Sequence, residues 1–404
     1  MKILLLTGHF PPEKSGGIGR PFSLYKYLPD YEIEVLVVSK NLYGRFPDEK
    51  NVYRYDSFGN WRNAPLFSKK VLLKIISLFK NTIYGINYDP WWTNKVIKSV
   101  NDYNQSGEIS LIYATFPGVE VLEAALKLKG KLKVPMIVEF RDGLAFETVL
   151  KNPNFLQRTV IKNLEKKIIN ASDAVITIGE NLSKYFRLTY KKPVYTVYNG
   201  YEESDFSLIK NIENEQKSKK TVIHFGSLNS SRAAKRDGLF KALQHLKNNK
   251  IIDENNFSLL FIGNIKDEEV KEASKYGLHK IITFIPQMDK KEGFSFITRH
   301  ADFLLFYGVP DQSTIISSKL LEYLKLNKPV IGICKGNEAA LIIQKTGTGE
   351  VCDFDENSIE SLLMKLINNE ISYEPDHAEI EKFNRKYQAE EIAEIIKGIP
   401  ITSK

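Results

Sequence analysis

The sequence predicts an α/β protein made of two doubly wound parallel-sheet domains. Short apolar runs of strand length alternate with helical stretches along nearly the whole 404-residue chain. That alternation places helices on both faces of a parallel sheet. A polar, charged stretch from Glu202 to Lys220 interrupts it and reads as a connection between domains. The length suits two or three domains, each long enough to bury its own core. The expected division is a domain over 1–200, a linker over 201–220, a domain over 221–375 and a closing helical segment over 376–404.

The first half begins with a buried-type strand, Lys2–Thr7, and a loop from His9 to Arg20 that feeds a helix reaching about Leu28. Gly16 and Gly17 permit positive φ and close backbone approach, so a phosphate could lie against them at the helix start. The spacing is not that of the GxGxxG dinucleotide fingerprint. His9 has no partner visible in the sequence. Tyr31–Ser39 reads as the second strand, and residues 40–65 as a long loop. Ser68–Lys80 is amphipathic and basic, and Tyr88-Asp-Pro-Trp-Trp92 follows it. Basic charge beside tryptophan suits an interfacial membrane contact. The same pattern suits a helix packed on the core with its lysines in water.

Ile109–Ala114 and Val134–Phe140 are further strands, the second ending in Arg141-Asp142-Gly143. Charged groups at the carboxyl end of a strand are well placed for chemistry. An Asx turn or a helix cap is the plainer reading of Asp142. A helix over 155–170, a strand over Ala171–Ile178, a helix from Glu180 and a last strand near Val194 complete this half.

Charge is uneven. Residues 1–200 hold 29 Lys and Arg against 18 Asp and Glu, a net of +11, whereas residues 201–404 hold 28 against 31. A basic half suggests a surface that meets something anionic, such as acidic lipid, a phosphorylated acceptor or nucleic acid. Two cysteines, Cys334 and Cys352, make neither a disulfide framework nor a metal set. The leading apolar run, Ile3–Leu6, is too short for a signal peptide or a membrane span, so a cytoplasmic protein is expected.

The second half opens with Thr221–Leu228, in which His224 reads as a core residue. Gly226-Ser-Leu-Asn-Ser-Ser-Arg232 ends that strand in a short polar loop. Arg232 offers a forked, permanent charge for phosphate, with Lys235 and Arg236 nearby. Phe257–Gly263 and Ile281–Pro286 are further strands. Asp353-Phe-Asp355 precedes a helix, so capping explains it better than a metal.

The centre of this half is Ala301–Tyr307, a loop over 308–316, a helix carrying Leu320, Leu321 and Leu324, and the strand Val330–Ile333: one βαβ unit. Lys319 and Glu322 are three residues apart and share a helix face. Lys319 offers a point charge beside a helix N-terminus. Glu322 offers two acceptor oxygens that suit a vicinal diol such as a ribose. Two solvated charges on an amphipathic face is the plainer reading. The chain closes with a helix over 378–396, stopped by Gly398 and Pro400.

The run Ala301-Asp-Phe-Leu-Leu-Phe, Ser318-Lys-Leu-Leu-Glu-Tyr-Leu and Lys328-Pro-Val-Ile resembles the donor-site signature of GT-B glycosyltransferases, most like glycosyltransferase family 4. The stretches 171–186 and 194–206 also look like this family. The resemblance implies two Rossmann-like domains facing across a cleft and transfer of a sugar, with retention, from a nucleotide-diphosphate sugar. A UDP- or GDP-sugar is expected, without a metal. It puts the donor against Gly16, Gly17, Gly226, Ser227, Arg232, Ile285, Pro286, Ser318, Lys319, Leu320 and Glu322, and assigns chemical roles to Arg232, Lys319 and Asp142. Glu322 matches the second of two glutamates that the family spaces eight apart; Thr314 stands where the first would be. The implied acceptor is a glycan or lipid-linked intermediate, with a peripheral contact between the basic half and an anionic membrane at its inner face, in surface polysaccharide synthesis. Two competing classes are a nucleotide-sugar-binding protein without turnover and a nucleic-acid-binding protein. No base-reading module is apparent for the latter, so no nucleic acid is expected.

Overall fold

The computed structural model describes residues 1–13, 17–41, 49–56, 75, 78–79, 81–83, 88–146, 153–209, 219–226, 236–310, 313–314 and 316–401. The chain forms two compact units, Met1–Tyr198 with Lys386–Lys404, and Asn199–Arg385.

The first unit is built on seven parallel strands: β1 (Lys2–Thr7), β2 (Glu34–Asn41), β3 (Val52–Asp56), β4 (Ile109–Phe116), β5 (Met136–Phe140), β6 (Ala174–Thr177) and β7 (Val194–Thr196), in the order β3-β2-β1-β4-β5-β6-β7. Its helices are α1 (Gly19–Tyr27), α2 (Pro90–Tyr103), α3 (Val119–Leu132), α4 (Phe155–Ala171) and α5 (Glu180–Tyr190). The unbroken apolar run of β1 follows from a sheet covered on both faces. Leu4 and Leu6 pack with Trp92, Val96 and Leu122 on one side. Ile3 and Leu5 pack with Leu24, Leu28, Ile392 and Ile396 on the other.

Two expectations change here, and one alternative is resolved for Trp92. The stretch 40–65 is not all loop, because β3 lies within it. β3 pairs only with β2, at the sheet edge, and its side chains are half-buried or exposed, so its sequence lacks an apolar signature. Trp92 is fully buried, and its Nε1 donates to Ser39 O at 3.2 Å. That tryptophan is therefore core, set by the Asp89 cap that accepts from its own amide at 3.0 Å. The final helix is two. α12 (His377–Glu381) and α13 (Arg385–Lys397) are separated where Tyr201 pairs through its backbone with Phe383 O (2.9 Å) and Arg385 N (3.0 Å).

The second unit holds six parallel strands: β8 (Lys220–Phe225), β9 (Phe257–Gly263), β10 (Ile282–Pro286), β11 (Phe303–Tyr307), β12 (Val330–Ile333) and β13 (Gly349–Cys352), in the order β10-β9-β8-β11-β12-β13. Helices α6 (Arg236–Asn248), α7 (Asp267–Lys275), α8 (Lys290–His300), α9 (Ser318–Leu324), α10 (Glu338–Lys345) and α11 (Glu356–Ile367) connect them. Asp355 caps α11 by accepting from Ser358 N at 3.0 Å, and Asp353 pairs with Lys335 at 2.8 Å. Each sheet reverses its strand order once, at β1/β4 and at β8/β11. In such sheets the carboxyl ends of the two strands at the reversal form the ligand crevice.

Candidate functional site

In the second unit, Gly226 follows β8 at the reversal, with φ 118°. Its amide donates to Ile262 O at 2.6 Å. A Cβ at this position would overlap Cε and Nζ of Lys319. The φ favours glycine, and its missing side chain leaves the space in which the lysine lies. α9 is held beneath by Leu320 and Leu321, both fully buried, and by Tyr323, whose hydroxyl accepts from Phe225 N at 2.7 Å.

Glu322 is 6% exposed. An isolated carboxylate at such depth costs several kcal/mol unless it is paired. Lys290, the first residue of α8, pairs with it: Nζ lies 2.7 Å from Glu322 Oε1 and 2.6 Å from Asp205 Oδ2. Burial pushes the Glu322 carboxyl above its ordinary range, opposed by Lys290 and Arg385. Burial pulls the Lys290 ammonium down, but Glu322 and Asp205 outweigh it and leave it raised. Phe206 stacks on Phe294 of α8 at 4.8 Å, so the 203–206 turn is fixed against the same helix. A carboxylate offers about four acceptor sites; Glu322 can keep Lys290 and still accept a hydroxyl. Ile285 and Pro286 end β10, which lies two strands from β8, roughly 10 Å away by strand spacing. Thr314 is buried in the loop between β11 and α9.

In the first unit, the loops after β1, β4 and β5 meet. Arg141 donates from its amide and from Nε to Phe116 O (3.2 and 3.1 Å), and from Nη1 to Gly17 O (2.6 Å). His9 Nδ1 is 2.7 Å from the Glu13 carboxylate, a partner the sequence did not disclose. Burial raises the Asp142 carboxyl to about 6, with Arg141 opposing. The segment after Asp142 is clamped by Glu165, which accepts from Ala145 N (2.8 Å), Tyr185 OH (3.1 Å) and Tyr190 OH (2.7 Å). Phe146 stacks on Tyr185 at 4.5 Å.

Residues 205–387 match the family model of glycosyl transferases group 1. That match spans nearly all of the second unit. The fold as a whole is that of GT-B glycosyltransferases: sucrose-phosphate synthase from Thermosynechococcus elongatus has a TM-score of 0.68 at 14% identity, covering 98% of both chains. The lipopolysaccharide outer core galactosyltransferase WaaB has 0.64 at 13%, covering 98% of this chain and 100% of the other. Anabaena HepE in complex with UDP has 0.60 at 15%, again over 98% and 100%. No curated protein sequence matches the chain at a significant level.

Within the second unit, the structure brings together Gly226, Ser318, Lys319, Leu320 and Glu322. Gly17 and Asp142 belong to the first unit's strand-end loops. Gly16, Ser227 and Arg232 lie outside the described residues. Sequence reasoning missed Lys290, Tyr323 and Glu165. Tyr323 stood inside the quoted motif. Lys290 and Glu165 had no signal, since the groups they hold are 32 and 20 residues away. Among the described residues, no group of three His, Cys, Asp or Glu could hold a metal ion, and no helix is long and apolar enough to cross a membrane.

Proposed function

We propose that this chain is a retaining hexosyltransferase that takes a sugar from a nucleotide-diphosphate sugar, UDP- or GDP-linked, and passes it to a glycan or lipid-linked acceptor in surface polysaccharide synthesis. The observation that carries the reading is Glu322: a buried carboxylate, oriented by Lys290, one helical turn from a lysine that lies over Gly226 at the crevice of the second unit. Glu322 takes the ribose hydroxyls. Lys319 and Arg232 oppose the charge that develops on the leaving diphosphate, the term that dominates such transfers. Asp142 steers the acceptor. The UDP and UDP-glucose complexes of HepE support a nucleotide-sugar donor. The basic first half supports work in the cytoplasm against the anionic inner face of a membrane.

Thermal stabilisation by UDP-, GDP-, ADP- and CMP-sugars tests the donor. At about a hundred times Kd, the matching donor should stabilise by about 2.7 kcal/mol. Stabilisation by none would overturn the reading. Turnover is tested by release of the nucleoside diphosphate on adding polyprenyl-linked or glycan acceptors. Binding without release across that set would favour a binding protein instead. Sedimentation with anionic vesicles, lost at high salt, tests the membrane contact.

A further inference from the structure

Most buried or partly buried cations of the first unit are neutralised by carboxylates, whereas the half-buried Lys192 and the buried Arg141 bond only backbone carbonyls. Arg20 Nε lies 2.9 Å from Glu139, Lys40 pairs with Glu120, and Arg54 lies 3.0 Å from Glu49. Arg141 is 7% exposed, and every hydrogen bond its side chain makes ends on a backbone carbonyl. Its Nη2 is buried and has no hydrogen-bond partner. Glu139 and Asp142 act on it only through space. A desolvated guanidinium held this way is costly, and a buried donor left unmade costs more. In native structures such a group is completed by water, an ion or a ligand, or serves catalysis.

The position fits a ligand. Arg141 begins the loop after β5, beside the strand-order reversal at β1/β4. Nη2 looks onto the bare face of Gly17. A Cβ built there would sit 3.5 Å from Nη2, 3.6 Å from Nη1 and 3.3 Å from the His9 ring. Residue 17 therefore sets no side-chain atom against the guanidinium.

We propose that Arg141 Nη2 binds an anionic oxygen, phosphate or carboxylate, of a bound substrate. Nε and Nη1 fix the guanidinium plane on Phe116 O and Gly17 O, and Nη2 makes the charge-assisted bond. The anion has two sources of the same chemistry: the diphosphate of the donor, or an acidic group on the acceptor. The inference deepens the transferase reading and rests on it.

Calorimetric titration of wild type, Arg141→Met, Arg141→Lys and Gly17→Ala with UDP, uridine, pyrophosphate, inorganic phosphate and glucuronate tests it. Arg141→Met should weaken the anion that binds here at least about tenfold, the scale of one bond to a charged group, and leave uridine unchanged. Gly17→Ala should weaken the same anion by covering Nη2, and Arg141→Lys should retain part of the binding. Parallel losses for UDP and pyrophosphate assign the donor. Losses confined to phosphate or glucuronate assign the acceptor. The inference is overturned if wild type binds none of these anions, or if every anion stays within twofold of wild type in both Arg141→Met and Gly17→Ala. Should Arg141→Met fail to fold, Arg141→Lys and Gly17→Ala decide. Uridine and UDP failing to bind wild type would sink the nucleotide-sugar reading, while phosphate and glucuronate still decide this one.

Discussion

Glu322 and Arg141 are both charged groups withdrawn from water near the carboxyl end of a parallel sheet, and they are held in opposite ways. Glu322 has a formal counter-charge in Lys290 at 2.7 Å. Arg141 has carbonyl oxygens and one unsatisfied nitrogen. A buried pair becomes costly when one partner is removed, because the survivor stays buried and alone. A buried cation held by carbonyls leaves no opposite charge behind on removal, so the cost is that of the acceptors it served. The first arrangement pairs and aims a carboxylate; the second leaves a cation that a ligand can complete.

The largest expected effect breaks the pair. Lys290→Met should destabilise by about 3 kcal/mol at pH 7.5 in urea unfolding. The loss should shrink at pH 5, because Glu322, already raised by burial, takes up a proton instead of standing alone. A loss under about 1 kcal/mol at both pH values would show that the pair is incidental.

Glu322→Ala removes the buried charge itself and leaves Lys290 with Asp205. It should cost less stability than Lys290→Met, yet weaken the donor by about 2 kcal/mol, some thirtyfold. Equal donor affinity in a folded variant contradicts the ribose assignment.

Asp142→Asn sharpens the contrast from the first unit. Burial raises this carboxyl from 3.8 to about 6. The folded chain therefore holds a proton that the unfolded chain releases, and the stability this gives is full below about pH 4 and lost as pH rises through about 6. Asparagine has no such loss. The variant should be more stable than wild type above pH 6 by on the order of 1–2 kcal/mol, and the difference should vanish below pH 4. A pH-independent difference would contradict it. If Asp142 acts as a carboxylate in transfer, the wild-type rate should also climb through pH 6.

The smallest effect is Arg141→Met on stability, a loss of about 1 kcal/mol, since it takes a donor from Gly17 O and Phe116 O while also removing an unpaired buried nitrogen. A loss of 3 kcal/mol would make Arg141 a structural staple between Gly17 and Phe116.

The sequence exposes what is local and hides what is remote. Leu320, Leu321 and Leu324 announced α9 because a buried helix face repeats within one turn, and Asp355 announced a cap because its amide partner is three residues on. The β1 run was legible because both faces are covered. β3 was not, because an edge strand half in solvent has no apolar run to show. Trp92 left two readings open, since composition cannot distinguish a core tryptophan from an interfacial one. The break between α12 and α13 follows from backbone pairing with Tyr201, some 180 residues earlier, which no local pattern encodes. Of the candidate site, Lys319, Glu322 and Gly226 were readable as chemistry. Their supports were not, because Lys290 and the clamp on Ala145 act through tertiary contact.

The most direct test of the central claim is a thermodynamic cycle on the ribose. UDP and 2′,3′-dideoxy-UDP (or the GDP pair, should the donor panel select it) are titrated into wild type and Glu322→Ala. The account predicts that removing the hydroxyls and removing the carboxylate each cost about 2 kcal/mol, and that doing both costs little more than either. Additive losses would mean that Glu322 and the ribose do not meet, and the site would have to be placed elsewhere.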